Sequence, residues 1–442
     1  MEAFMGISRS FGLFSVLGLT MAVACGDDGA GGSGGNPSSG GAGGSGGAPA
    51  SAELEGELSS RTLTADTVWT LKGVVTVPDG ETLTIEAGTK IVGDKGTLGT
   101  LVIQRGGKIE AVGTADAPVV FTSALPEGER AAGDWGGVVV LGRAPINEEG
   151  GEADVEGFTE SQTYGGDVAS DDSGTIKYVR IEFGGIEIAP DNEINGLTLA
   201  GVGSGTEVDF VQVRQTLDDC FEFFGGTVNA KHLVCYRNGD DAFDFDQGYV
   251  GSLQFLFLQQ DPTIADDANG FEADNDGDVF DVAPVTNPKI SNVTLCGQND
   301  DQDKQQFGFL FRRGFTGTVT NAIVTGFEAG VDFRDVPPTS VTVTNSVFFG
   351  NTVENIAYVE TGEEDNDGGF DEIMWFEGGM GNTTTDPGLG DCFATTPDPR
   401  PAAEIPGGTP VGTGADSSAT FKGAFKDASD DWMAGWTEFT EN

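Results

Sequence analysis

The chain has 442 residues, with 22 Lys+Arg against 71 Asp+Glu and a formal charge of −49. Such a field repels nucleic acid and attracts cations, so nucleic acid is not an expected partner. The 30 Phe exclude a disordered acidic tail, and a single His leaves too few ligands for a cysteine–histidine zinc site.

Residues 1–24 read as a signal peptide. Arg9 precedes an apolar run from Phe11 to Ala24, long enough for a secretory segment and short for a spanning helix. The run ends in Ala22-Val23-Ala24-Cys25, which resembles the lipobox of bacterial lipoproteins. That resemblance implies lipidation at Cys25 and a membrane partner through the anchor. Ordinary cleavage after an A-x-A pattern is the competing reading. Residues 25–53 are a Gly/Ser-rich linker with nothing to form a core. A linker of this composition has a reach of roughly 25–30 Å. The expected location is the outer membrane, on its periplasmic or surface face.

The folded part is expected over 54–383. Stretches such as "TLTADTVWTLKGVVTVPDGETLTIEAGTKIVGD" alternate apolar and polar residues between Gly-containing turns, the pattern of short strands. The sequence then repeats itself. Phe221-Glu222-Phe223 aligns with Phe243-Asp244-Phe245 at an offset of 22 residues, then with Phe271-Glu272-Ala273 at 28. Phe309-Leu310-Phe311 and Val331-Asp332-Phe333 continue the series, again 22 apart. "SNVTLCG", "TNAIVTG" and "TNSVFFG" repeat a second strand with an Asn near its start. Several strands and no helix per repeat predict an all-β parallel β-helix, whose coils stack about 4.8 Å apart. Aligned Phe would form an internal stack and aligned Asn a corner ladder. A β-propeller would need roughly 40–50 residues per blade, with blade motifs that are absent. Residues 384–442 are expected to cap the last coil with the apolar "FKGAF" and "WMAGW".

"EINGLTLAGVGSGTEVDFVQV", "FFGGTVNAKHLVCYRNGDDAFDFDQGY", "DWGGVVVLG" and the ending "FKGAF…DWMAGWTEF" resemble a group of bacterial exported lipoproteins. Their body is similar to the right-handed β-helix of the pectate-lyase-like superfamily. The resemblance covers most of residues 60–442 and implies fold and envelope location, but no settled activity.

Strand parity points to a site. With Phe221 and Phe223 inward, one outward column reads Glu222, Asp244, Glu272, Leu310, Asp332. The next reads Phe224, Asp246, Asp274, Arg312, Arg334. The positions before Glu222 (Cys220, Ala242, Gly270, Gly308 and Gly330) would form a smooth floor of small residues. Glu222, Asp244, Asp246, Glu272, Asp274 and Arg312 are therefore the candidate ligand-binding set, with plain solvation of an exposed acidic sheet as the competing reading. Adjacent carboxylates repel, which raises a pKa or recruits a cation. Asp244, Asp246, Glu272, Asp274, Arg312 and Arg334 are the candidates if the protein is catalytic. The Asp218-Asp219 and Asp240-Asp241 pairs read as turn formers.

Asp274, Asp276 and Asp278 around Gly277, and Asp365 and Asp367 before Gly368, resemble the start of a calcium loop. Neither has Glu at the twelfth position, and solvated acidic loops are the plain alternative. Calcium is the expected cofactor, if there is one. The polygalacturonase pattern needs Gly-His-Gly and Arg-x-Lys, but His232 sits in "NAKHLVC" and no "RIK" occurs. His232 reads as a surface strand residue. Cys220, Cys235, Cys296 and Cys392 leave three full pairings open. The sequence reads as a monomeric lipoprotein that binds glycan or another surface ligand along an acidic face. A polysaccharide lyase or glycoside hydrolase is the competing class.

Overall fold

The computed structural model describes residues 49–189, 192–264, 267–300, 305–335, 340–358 and 366–442. The expected signal peptide, most of the expected linker with Cys25, and Asp365 lie outside the described residues. The architecture is nearly all β, and its ladders are parallel from coil to coil, consistent with the right-handed β-helix expected.

One ladder climbs through Val138–Leu141, Leu197–Ala200, Phe221–Phe224, Phe243–Asp246, Phe271–Ala273, Phe307–Phe311 and Ala329–Phe333. Its register is the one the repeat predicts: Phe221 pairs with Phe243, Glu222 with Asp244, Asp244 with Glu272 and Leu310 with Asp332. The inward phenylalanines are buried and stack along the rod axis. Ring centroids are 5.3 Å apart for Phe221 and Phe243, and 5.4 Å for Phe223 and Phe245. Those spacings are close to the strand separation, so each coil buries its rings against the next.

A second ladder is built from long strands: Gly174–Glu182, Glu207–Arg214, Asn229–Tyr236, Ser252–Gln259, Lys289–Cys296 and Gly317–Thr325. Each long strand bends at one residue with positive φ: Tyr178 (51°), Phe210 (56°), His232 (51°), Phe255 (63°), Asn292 (56°) and Asn321 (62°). Left-handed backbone is costly for aromatic residues. Ring stacking offsets that cost. Tyr178 and Phe210 lie 4.4 Å apart, Phe210 and His232 4.0 Å, and His232 and Phe255 4.8 Å, all nearly parallel. His232 is thus a rung of an aromatic corner column, with Nδ1 2.8 Å from Asp209 Oδ1.

Residues 384–442 do not sit over the last coil. They run back along the flank and cover this corner column. Asn292 Nδ2 donates to the carbonyls of Ala419 and Phe421, and Asn321 Nδ2 to that of Gly408. Asn292 and Asn321 therefore bond the tail rather than each other. Trp432 packs edge-on against His232, and Trp436 against Tyr178 and Phe210. Disulfides join Cys220 to Cys235 inside the rod and Cys296 to Cys392 between rod and tail. The last described coil is closed instead by the helix Glu372–Gly378, whose Phe376 stacks 4.0 Å from Phe348. The apolar tail motifs match the aromatic flank, where Phe421 packs against Phe255 and Phe425 against Phe257.

The column of small residues also faces the other way. Cys220 and Ala242 are core residues, and a side chain at Gly270, Gly308 or Gly330 would strike Leu295, Val324 or Phe348. The chain turns a corner just before each Phe strand, so simple alternation fails there. These residues are small because the interior corner is tight, not because they floor a groove.

Candidate acidic cation site

The second Asp of each pair is more than a turn former. Asn195 Oδ1 accepts the backbone N–H of Asp219 (3.1 Å), and Asp219 Oδ1 accepts that of Asp241 (2.8 Å). Asp241 Oδ1 accepts from Asn269 N, and Asn269 Oδ1 from Phe307 N (2.9 Å). Each side chain satisfies the corner amide of the following coil. Asparagine and aspartate serve this geometry equally, but only aspartate brings charge. The ladder thus places two buried carboxylates, Asp219 and Asp241, beside the outward acids.

Asp219, Glu222 and Asp244 offer carboxylate oxygens that all lie within 4.8 Å of one another. A second such group, Asp218, Asp219 and Asp240, shares Asp219. Glu222 is buried and accepts a hydrogen bond from Asn195 Nδ2. Asp244 is half-buried, and its Oδ1 is buried with no hydrogen-bond partner. Burial raises the carboxyl pKa of all three well above the ordinary range. Neighbouring acids add to it: Asp241 for Asp219 and Asp244, and Asp244 for Glu222. Burial pushes Asp246 and Asp241 up to about 6, against the pull of backbone N–H donors from Gln247 and Asn269.

Part of this burial comes from a roof at the N-terminal end of the face. Tyr164, Ile146 and Ile194 pack with Val139, Leu141 and Phe224 in a separate apolar cluster. Phe224 is consequently covered by Tyr164 rather than lining an open groove.

The same columns change character one coil further. Arg312 pairs with Glu272 and, through Nε, with Asp274 Oδ1 at 2.8 Å. Arg313 Nη1 reaches Asp274 Oδ2 at 2.7 Å. Arg334 Nε pairs with Asp332 Oδ2 at 2.6 Å. Glu272, Asp274 and Arg312 are therefore brought together as an ion-pair network beside Glu222 and Asp244.

The loop acids behave differently from the expected calcium loops. Asp274 is committed to the two arginines. Asp276 Oδ1 caps its own turn by accepting from Asp278 N (2.9 Å) and Val279 N, and Asp278 is exposed. Asp367 is buried and accepts from Gly369 N (2.7 Å) and Phe370 N (3.1 Å). None of them joins a cation-sized carboxylate group among the described residues. Sequence reasoning missed Asn195 and Arg313. Asn195 precedes Gly196 as Asp219 precedes Cys220, and that shared corner position was the available signal.

A family model described as a pectate-lyase like beta helix domain matches residues 56–385. The chain belongs to this family. Membership agrees with the parallel coils and places the acidic column within the family's domain. No curated protein and no solved structure matches the chain.

As a site for calcium, the donor set fits. It is made of hard carboxylate oxygens, it lacks histidine and thiolate, and it contains an orphaned buried oxygen. The likeness to the family carries no ligand of its own to this β-helix.

Proposed function

We propose that this β-helix is an envelope-tethered binding module that takes up calcium on its acidic face and holds a glycan or another surface ligand there. One observation carries the reading: three carboxylates converge within 4.8 Å, and one of their oxygens is buried without a partner. Buried acids this close must be neutralised by protons or by a cation. Asp219, Glu222 and Asp244 would hold the ion, with Asp218 and Asp240 beside them. Bound calcium supplies open coordination positions for hydroxyl or carboxylate oxygens of a ligand. The lipobox at Cys25 and the soft linker support an anchored protein.

Titration calorimetry of the purified protein tests this. Calcium uptake should release protons, because the ligands must deprotonate. Asp244→Asn should weaken uptake at least tenfold. Absence of calcium uptake, or an unchanged affinity in Asp244→Asn, would sink the proposal. A glycan screen with and without chelator then identifies the ligand. Mass spectrometry of Cys25→Ala checks the anchor, and a variant still carrying lipid would reject that cleavage site.

A lyase or hydrolase reading rests on Arg312, whose pKa is lowered by burial and by Arg313, beside the acids. Its pairing with Glu272 and Asp274 counts against its acting as a free base. Polysaccharide turnover that Asp244→Ala or Asp274→Ala abolishes would establish the enzyme and displace the binding-only reading.

A further inference from the structure

A cavity separate from the acidic face lies beside the last residues of the tail. Its volume is about 460 Å³, and Lys90, Thr122, Arg130, Arg180, Arg214 and Glu182 are among its lining residues. The chain has only 22 basic residues against 71 acidic ones, so four cations at one cavity run against the composition. Repetition explains part of the arrangement. Lys90 pairs with Val120, and Val120 with Arg180, in one outward column. Thr122 lies two residues on from Val120, and Glu182 pairs with Arg214 in the column beside it.

Four acids, Glu127, Glu182, Glu438 and Glu441, line the cavity as well, and all but Glu127 are committed. Glu182 is shared by Arg180 at 3.0 Å and Arg214 at 3.6 Å. Glu441 pairs with Arg237 at 2.7 Å. Glu438 accepts the backbone N–H groups of Phe439 and Thr440. Several donors remain. Thr122 is 1% exposed, and its Oγ1 has no partner. Arg214 Nε is likewise buried and unpartnered, although Nη2 donates to both Gln215 Oε1 and the Thr440 carbonyl and Nη1 faces Glu182. Arg130 spends Nε on the Leu125 carbonyl and lies 6.0 Å from the centre of the Phe183 ring. No described acid hydrogen-bonds to Lys90, and burial and Arg130 together lower its pKa. An orphaned hydroxyl, an orphaned guanidinium N–H and an unpaired ammonium around one cavity are complementary to a single kind of group.

We propose that this cavity binds a small ligand through an oxyanion, a carboxylate, phosphate or sulfate group, held by Lys90, Arg130, Thr122 Oγ1 and Arg214 Nε. The cavity exceeds the size of a bare ion, leaving room for a small organic body, within the usual range for ligand pockets. The site is separate from the acidic face and does not depend on calcium there.

The test is titration calorimetry of the full chain at low ionic strength with inorganic phosphate, sulfate and citrate in separate arms. At least one probe should bind saturably at one per chain, and the preferred probe tells phosphate or sulfate from carboxylate. Lys90→Met combined with Arg130→Gln should weaken that binding at least tenfold. Thr122→Val keeps the shape, so it should fold. It should weaken binding several-fold and raise the melting temperature of the anion-free protein, because a buried hydroxyl without a partner is lost. Lys108→Met, which removes an exposed pairing with Asp172, should leave affinity unchanged. No saturable uptake of any probe overturns the proposal. So does wild-type affinity in both Thr122→Val and the double variant, or an equal loss in Lys108→Met.

Discussion

The tail-covered flank and the acidic face are products of the same repeat, yet they end in opposite states. On the flank, repetition stacks ring on ring, and where the rings give way to Asn292 and Asn321 the tail's carbonyls meet the amides. On the acidic face, repetition stacks carboxylate on carboxylate, and Asp244 Oδ1 is left without a partner. Aromatic rings satisfy like neighbours and amides find partners in the tail's backbone; stacked anions have neither. A solenoid therefore amplifies whatever sits in a column. Where the column is neutral it gains stability, and where it is charged it needs something from outside. The acidic columns themselves show the remedy one coil on, where Arg312 and Arg313 neutralise Asp274.

This contrast can be broken at several points. The largest effect is expected on the flank. Trp436 is fully buried against Tyr178 and Phe210, so Trp436→Ala should cost ~3–5 kcal/mol and expose the tail to protease. Denaturant unfolding and limited proteolysis measure both, and a loss below ~1 kcal/mol would show that the tail is not bound through these rings.

Next comes the paired part of the acidic face. Asp274→Ala would leave Arg312 and Arg313 short of their shared partner and should cost about 3 kcal/mol, the lower range for breaking a buried pair. Unfolding of Asp274→Ala beside Asp244→Asn sharpens the comparison. Removing the unpaired charge at Asp244 should be neutral or stabilising in calcium-free buffer, whereas removing the paired one should destabilise.

A third test is pH dependence, read at the far end of the same face. Burial raises Asp332 to about 6 and Glu372 to about 8. The folded protein then holds protons that the unfolded chain has already released. Their contribution is complete below the unfolded values, near pH 4, and declines as pH rises through about 6 for Asp332 and about 8 for Glu372. The melting temperature in chelator should be higher at pH 5 than at pH 8. A flat profile, or a rise toward pH 8, would refute the raised values.

Much of the fold was legible in particular residues. The offset between Phe221 and Phe243 gave the coil, and parity placed Glu222 and Asp244 outward and adjacent, as the register has them. What escaped came from corners and from distance along the chain. Alternation does not survive a corner, so Cys220 and the aligned glycines were assigned to the wrong side. The aromatic column at Tyr178, Phe210, His232 and Phe255 gave no warning of its backbone, because left-handed φ is unusual for such residues. Arg313 was missed because it lies just beyond the strand, where no repeat position predicts its reach to Asp274.

The sequence by itself determined the coil, its register and the identity of the stacked columns, because strands that repeat the same residue pattern match in only one parallel register even when the loops between them differ in length. Only the tertiary structure decided which acids are neutralised, where the tail lies and which donors stand unpaired around the cavity beside the tail. Those outcomes depend on segments far apart in the chain, such as Arg312 with Asp274 and Trp436 with Tyr178, meeting in space. Their energies are set by burial and by what lies opposite, neither of which a local pattern records.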